Sequence, residues 1–145
     1  MAARIRVLFI CLGNICRSPV AAAVLQHRLR EVGADPFVEV SSAGLGGWHA
    51  GERPDERARE VAARHGIPMV SRARQVEPDE FARTHLIICM DEQNRRGLAR
   101  MGAPAERVQL LKSFSATPIG ATMEVDDPYP HGPEAFDLMF KEIMI

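Results

Sequence analysis

The sequence predicts an α/β fold in which a parallel sheet carries helices on both faces. Three observations lead there. Short apolar runs rich in β-branched residues alternate with stretches of helical period, the pattern of strands joined by crossover helices. Proline and glycine punctuate the helical stretches at their starts and ends. The chain has 145 residues, 46% hydrophobic and 26% charged, which is one domain's worth of sequence with enough apolar surface for a real core. Residues 1–145 are therefore read as a single domain.

The elements follow in order. "RIRVLFI" (4–10) reads as a buried strand. After a glycine-containing turn, "SPVAAAVLQHRLREVG" (18–33) reads as a helix with Ser18 as N-cap, Pro19 as first helical residue and Gly33 as stop; Ala21, Leu25, Leu29 and Val32 make its apolar stripe. "VEVSSAG" (38–44) is a second strand entering the loop "GLGGWHAGERP". Pro54 opens a helix whose Ala58, Val61, Ala62 and His65 share a face, and Gly66 ends it. A helical turn around "PDEFA" leads to a third strand, "HLIICM" (85–90). "DEQNRRGLARMG" then starts a helix with Asp91 as N-cap, and "RVQLL" (107–111) is the fourth strand. Residues 112–133 have turn formers throughout and read as a long loop, a class that often carries function. Phe136, Met139, Phe140 and Ile143 mark a last helix whose pattern runs to the end of the chain, so that helix is expected to be cut short.

Composition narrows the function. The formal net charge is −1, so no global basic field points to nucleic acid or an anionic membrane. No apolar run reaches the length of a membrane span and no signal-peptide pattern opens the chain, so a cytoplasmic protein without membrane insertion is expected. Three cysteines do not make a disulfide framework. Any anion binding must be local.

The local candidate is "CLGNICR" (11–17), at the carboxyl end of the first strand, where ligands of parallel sheets bind. A seven-residue turn between strand and helix can wrap its N–H groups around an oxyanion, and the helix N-terminus adds partial positive charge. The stretch is not a nucleotide-binding loop, since it lacks the glycine-lysine-serine pattern of one. A cysteine opens it and an arginine closes it. Arg17 offers a permanent planar charge that matches two oxygens of a tetrahedral anion, with Cys11 beneath. Thiolates attack phosphorus, and helix N-termini and nearby cations favour the thiolate. Ser18 can donate its hydroxyl to the sulfur, Asn14 can brace the loop, and Gly13 is expected to take a backbone angle other residues resist. The alternative for Cys11 is a buried core thiol at a strand end.

Taken together, "VLFICLGNICRSP", "SSAGLGGWHAG", "RARQ", "IICMD" and "DDPY" resemble, in order and along essentially the whole chain, the low-molecular-weight protein tyrosine phosphatases. The resemblance implies a three-layer fold with a four-stranded parallel sheet flanked by helices on both faces, and a cysteinyl-phosphate intermediate. It implies Cys11 as nucleophile, Arg17 as phosphate ligand and Asp127 of "DDPY" as general acid, with Leu12, Gly13, Asn14, Ile15, Cys16 and Ser18 forming the phosphate loop. From the residues alone Asp126 competes with Asp127, and both could be solvated loop charges. A carboxylic acid there suits the chemistry, because an aryl phosphate leaves as a phenolate that needs a proton. The expected partner is a phosphotyrosine-containing protein or a small aryl phosphate, turned over without cofactor or metal by a monomer or weak homodimer.

By the same resemblance Trp48 and Tyr129, the single tryptophan and single tyrosine, form the walls of an aromatic cleft; packing under a loop is the alternative. Ser42 is expected to anchor Asn14. Cys16 is either a resolving thiol for oxidised Cys11 or a small packing residue, Cys89 is core, and His49 and His131 are solvated. The sequence departs from many family members at Ala22, Ser71 and Pro130; Ser71 stands where a histidine would bond the loop asparagine. Rival readings are a thioredoxin-linked arsenate reductase, which needs a further cysteine pair absent here, a phosphocysteine carrier domain, which needs no acid loop, and a catalytically dead phosphotyrosine-binding module, disfavoured because Cys11, Arg17 and Asp127 are all present.

Overall fold

The computed structural model describes residues 4–114 and 123–144. Strands β1 (Ile5–Cys11), β2 (Val38–Gly44), β3 (Leu86–Cys89) and β4 (Val108–Leu110) form one sheet in the order β2-β1-β3-β4. All pairings are parallel, and Cys11 of β1 stands opposite Gly44 of β2. Helices α1 (Arg17–Glu31), α2 (Glu56–Arg64), α3 (Glu92–Arg100) and α4 (Pro133–Met144) cover it, with a short 3-10 helix over Pro78–Arg83.

The period-two alternation of β1 explains the layers. Val7, Phe9 and Cys11 enter a core shared with Val20 and Val24 of α1, Val61 of α2 and Phe136 of α4. Leu8 and Ile10 enter the opposite core with Phe81, Ile87 and Leu98 of α3. A strand buried on both faces has to read as a continuous apolar run, and each such side chain contributes roughly 1.5–3 kcal/mol on burial. The predicted faces of α2 and α4 hold: Ala58, Val61, Ala62, Phe136, Met139, Phe140 and Ile143 are buried, and the His65 ring stacks on Phe140 at 4.4 Å.

Four local expectations are corrected. Helix α1 begins at Arg17, so Ser18 lies inside it and caps nothing; its hydroxyl is taken by the loop preceding the helix. The buried face of α1 runs through Val20, Ala21 and Val24, while Val32 lies just past the helix and is 77% exposed. Helix α2 is capped by Asp55, whose carboxylate accepts the Arg57 N–H at 2.8 Å; Pro54 precedes the cap. The long loop is partly ordered structure: Leu111–Phe114 form a 3-10 turn that buries Lys112 against Glu142 of α4, and the Val125 N–H donates to the Met90 carbonyl at 2.8 Å. Residues 115–122 of that loop, and the final residue of the last helical pattern, lie outside the described residues. The Val125 bond ties the segment carrying Asp127 to the carboxyl edge of β3.

Candidate active site

Residues 11–17 turn at the carboxyl end of β1 around a cleft of about 90 Å³, lined by loop residues together with Trp48, His49, Asp127 and Tyr129. Cys11 ends β1 and is 2% exposed. Its Sγ accepts the Asn14 N–H at 3.3 Å and lies 3.0 Å from Ser18 Oγ. Asn14 Nδ2 donates to that same Oγ at 2.7 Å, which leaves the Ser18 proton for the sulfur, with the Ala43 carbonyl a longer alternative at 3.5 Å. The sulfur therefore faces donors on two sides.

The strained angle in the loop belongs to Asn14, at φ 61°, and not to Gly13. A left-handed non-glycine residue costs about 1 kcal/mol or more and persists only where its surroundings over-determine it. Here they do. Both Nδ2 protons are used, on Ser18 and on Ser42 Oγ at 3.0 Å, and Oδ1 accepts the Arg74 N–H at 3.0 Å. Ser71, the departure from the family pattern, is exposed; the backbone of Arg74 supplies the bond instead. Gly13 answers a different demand, since a Cβ there would lie 3.2 Å from His49 Cδ2.

Arg17 is 2% exposed and its Nη1 donates to Asp91 Oδ2 at 2.6 Å and to the Val125 carbonyl at 2.9 Å. Burial works against its charge, but Cys11, the hydrogen bond and charge of Asp91, and Asp127 outweigh it and hold the guanidinium pKa above its ordinary value. Asp91 is the N-cap predicted from sequence, with Oδ1 accepting the Asn94 N–H at 2.7 Å; its second oxygen serves Arg17. That second task has no signal in the local sequence. Asp127 lines the cleft and its Oδ1 accepts the Tyr129 N–H at 3.0 Å, whereas Asp126 is exposed and does not line it.

Trp48 is 69% and Tyr129 48% exposed, so neither is ordinary packing under a loop. The Trp48 ring lies on Gly46, where an added Cβ would fall 1.9 Å from the ring. His49 is no isolated solvated histidine: it lines the cleft, meets the Tyr129 ring at 6.0 Å and pairs with Glu52 at 2.8 Å. Arg57 is a second residue that sequence reasoning missed. Its guanidinium grips Asp55, donates to the carbonyls of His131 at 2.7 Å and Tyr129 at 3.1 Å, and lies over the Phe136 ring at 4.3 Å. The Asp55 N–H in turn donates to the Ile15 carbonyl at 2.7 Å. This chain of contacts joins the phosphate loop to the loop bearing Asp127.

Cys16 is buried at the other end of the phosphate loop. Burial, with Asp55, Cys11 and Asp127, pushes its thiol pKa well up against the opposing pull of Arg17. Cys89 is buried in the sheet and its pKa is pushed up to about 11, again chiefly by burial. Among the described residues no group of His, Cys, Asp or Glu has the arrangement of a metal site. A larger apolar cavity of about 320 Å³, between β1, α1 and α4, holds none of the candidate site residues.

The model of the family described as low molecular weight phosphotyrosine protein phosphatase matches residues 6–144. The low molecular weight protein-tyrosine-phosphatase of Streptomyces coelicolor is 43% identical over 136 residues, covering 91% of this chain and 82% of the relative. A crystal structure of a protein tyrosine phosphatase from Entamoeba histolytica, with Hepes in the active site, superposes with a TM-score of 0.90 at 30% identity, over 97% of this chain and 90% of that one. The structure of a Drosophila arginine phosphatase superposes with a TM-score of 0.84 at 31% identity, over 95% and 90% of the two chains.

Proposed function

Because the chain belongs to the low molecular weight phosphotyrosine protein phosphatase family, and is thereby a phosphotyrosine phosphatase, we propose that it works through a covalent phosphocysteine on Cys11. One observation carries this reading: Cys11, Arg17 and Asp127 line a single cleft whose rim is Trp48 and Tyr129. The phosphoryl group sits over Sγ, held by the backbone of Leu12, Gly13, Asn14, Ile15 and Cys16 and by Arg17. Cys11 attacks phosphorus as the bond to the aryl oxygen breaks, and the Asp127 carboxyl gives its proton to the departing oxygen. Water then attacks the phosphocysteine, Asp127 takes a proton back, and inorganic phosphate leaves with the sulfur restored. Positioning and charge neutralisation supply the rate in such a transfer. The Ser18 hydroxyl, 3.0 Å from Sγ, stabilises the sulfur as leaving group in the second step.

Depth gives the preference for aryl esters. Cys11 lies at the bottom of a cleft walled by two exposed aromatic side chains, which stack on a phenyl ring and leave a shorter alkyl phosphate out of reach. A thiol nucleophile and three free, buried cysteines suit a reducing compartment, which supports residence in the cytoplasm. Cys16 remains a candidate resolving thiol. After peroxide converts Cys11 to a sulfenic acid, attack by Cys16 would form the disulfide and release water. Its raised pKa makes that closure slow near neutrality.

The test is hydrolysis of an aryl phosphate without added metal by the wild type, Cys11→Ser and Asp127→Ala, with acid-quench trapping of the phosphoenzyme. Cys11→Ser should be inactive and leave no phosphoenzyme; substantial activity in it would remove the nucleophile assignment. Asp127→Ala should lose rate most on esters with basic leaving groups. Peptides bearing phosphotyrosine, phosphoserine and phosphoarginine, run side by side, test the aromatic cleft: turnover of either of the last two at the phosphotyrosine rate would overturn it.

A further inference from the structure

A second groove, of about 920 Å³, opens beside the catalytic cleft between the loop after β2 and helix α3. Leu12 and Trp48 line both, so the two spaces meet at the rim across which a phosphotyrosine ring must enter. Glycines make the groove. Gly46 lets the Trp48 ring fold onto the backbone as a partition, and at Gly97 an added Cβ would lie 2.7 Å from Leu45 Cδ1, so a larger residue there would push the Leu45 side chain aside.

The charge of the groove is one-sided. Its lining includes Arg96 and Arg100 and contains no carboxylate. Both arginines are exposed and stand four residues apart on α3. Among the described residues neither has a hydrogen-bonded or ion-paired partner, while the adjacent Arg95 is 3.8 Å from Glu92. Arg100 in the last turn complements the dipole of α3, but like charges at this spacing repel, so Arg96 beside it does not serve the helix. The opposite side of the cleft carries both signs: Asp127 lines it and Glu52 pairs with His49, while the Arg57 guanidinium lies 5.7 Å from the Tyr129 ring centroid. A peptide crossing the rim therefore meets uncompensated positive charge on the α3 flank and mixed charge on the other.

We infer that this groove binds the polypeptide flanking the phosphotyrosine, and that Arg96 and Arg100 select substrates with acidic residues on one flank. The inference rests on the phosphotyrosine reading of the cleft and adds the class of protein substrate to it. Rim charges act mainly on encounter and register, and exposed pairs are individually weak and screened by salt.

The experiment uses phosphotyrosine peptides carrying two aspartates before, two aspartates after, two lysines before or after, or neutral residues on both flanks, with a small aryl phosphate as control. For the wild type, kcat/KM on one of the aspartate peptides should exceed that on the neutral peptide by about three- to tenfold at low salt and lose the advantage in concentrated salt. In Arg96→Ala/Arg100→Ala the advantage should disappear, and in Arg96→Glu/Arg100→Glu the matching lysine peptide should become preferred. Both variants should hydrolyse the aryl phosphate as the wild type does. An aspartate advantage that survives both substitutions, or no advantage on either flank in the wild type, overturns the inference. Failure of the reading beneath it shows separately, as loss of Cys11-dependent turnover of the control.

Discussion

Asp91→Ser isolates the hold on Arg17. In the native structure one carboxylate does two things: Oδ1 accepts the Asn94 N–H at 2.7 Å and caps α3, and Oδ2 accepts Arg17 Nη1 at 2.6 Å. Serine is as good an N-cap as aspartate, but has no second oxygen to offer the arginine. The helix start should survive, and the charge-assisted bond to Arg17 should not. Such a bond is worth about 1.5–3 kcal/mol, and here the two side chains are only 3% and 16% exposed, so solvent does little to replace it. Val125 still holds Nη1 through its carbonyl, so the guanidinium stays in place but loses the contact that fixes its rotation.

If the whole of that energy is expressed on the transition state, kcat/KM on an aryl phosphate falls roughly tenfold to 150-fold. Inhibition by vanadate, which takes the same site, should weaken in step. The melting temperature should fall as well, because a buried guanidinium has lost its countercharge. Asp91→Asn makes the point from the other side: its one carbonyl oxygen can serve the cap or Arg17, so one donor is left facing an amide N–H. It should therefore be no more active than the serine variant. The assays are steady-state kinetics, vanadate inhibition and a cooperative melt showing that each variant is folded at the assay temperature. A folded Asp91→Ser enzyme with kcat/KM and vanadate inhibition within about twofold of wild type would refute the argument.

Arg57→Gln should free the backbone of residues 129–131 and steepen the dependence of kcat on leaving-group pKa toward that of Asp127→Ala; an unchanged slope would show that the acid loop holds itself. Gly44→Ala places a Cβ 2.9 Å from the Gly13 carbonyl carbon and 3.0 Å from the Leu12 oxygen, so the phosphate-loop backbone must move. A cost of about 1–3 kcal/mol in unfolding free energy and a drop in kcat/KM are expected. Asp55 and Glu80 are partly buried, which alone would raise their pKa values, but bonds from Arg57, and from Arg74 and the Glu77 N–H, hold both below the reference values of 3.8 and 4.5. Their contribution is complete above those values and is lost as pH falls through the lower folded ones, so the melting temperature should decline below about pH 4.5 and decline less in Asp55→Asn/Glu80→Gln. After peroxide, protection of the enzyme by a Cys11–Cys16 disulfide should form faster as pH rises, because Cys16 must ionise to attack; mass spectrometry of digests taken across pH 7–9 reads this directly, about two decades of thiolate population apart at the extremes.

The contrast between Asn14 and Gly13 shows where sequence reasoning reaches its limit. Spacing located the phosphate loop, because a strand, a turn and a helix start are set by residues close in the chain. The strained angle within it falls on Asn14 and not on the neighbouring glycine, the type that usually takes positive φ. What permits Asn14 to take that angle is a serine 28 residues away, brought in by the pairing of β1 with β2, and a backbone N–H 60 residues away, in a segment that pairs with Gly44 at the end of β2. Ser18 departs from its local signal for the same reason. Before a proline it matches a helix cap, but the loop curls back and takes its hydroxyl for the sulfur. The groups that do the chemistry are written locally, and those that hold the geometry are contributed across the sheet.

Asp91 shows how part of that distant information can nevertheless be recovered from the chain. Its role as an N-cap is a sufficient local explanation for only one of its oxygens. A cap uses one carboxylate oxygen, and an ionised carboxylate has two, with about four lone-pair sites. At the carboxyl edge of a buried strand the second oxygen cannot all be left to solvent, and a part-buried charge needs a countercharge. The phosphate-loop motif places one obligatory cation, Arg17, at that same edge, since β1 and β3 are neighbours in the parallel sheet. Counting unspent acceptors against obligatory charges thus pairs Arg17 with Asp91 across 74 residues. Applied to Arg57, whose five donors outnumber the sites left on an Asp55 carboxylate that also accepts the Arg57 backbone N–H, the same count calls for further acceptors, and the structure supplies them as the carbonyls of Tyr129 and His131.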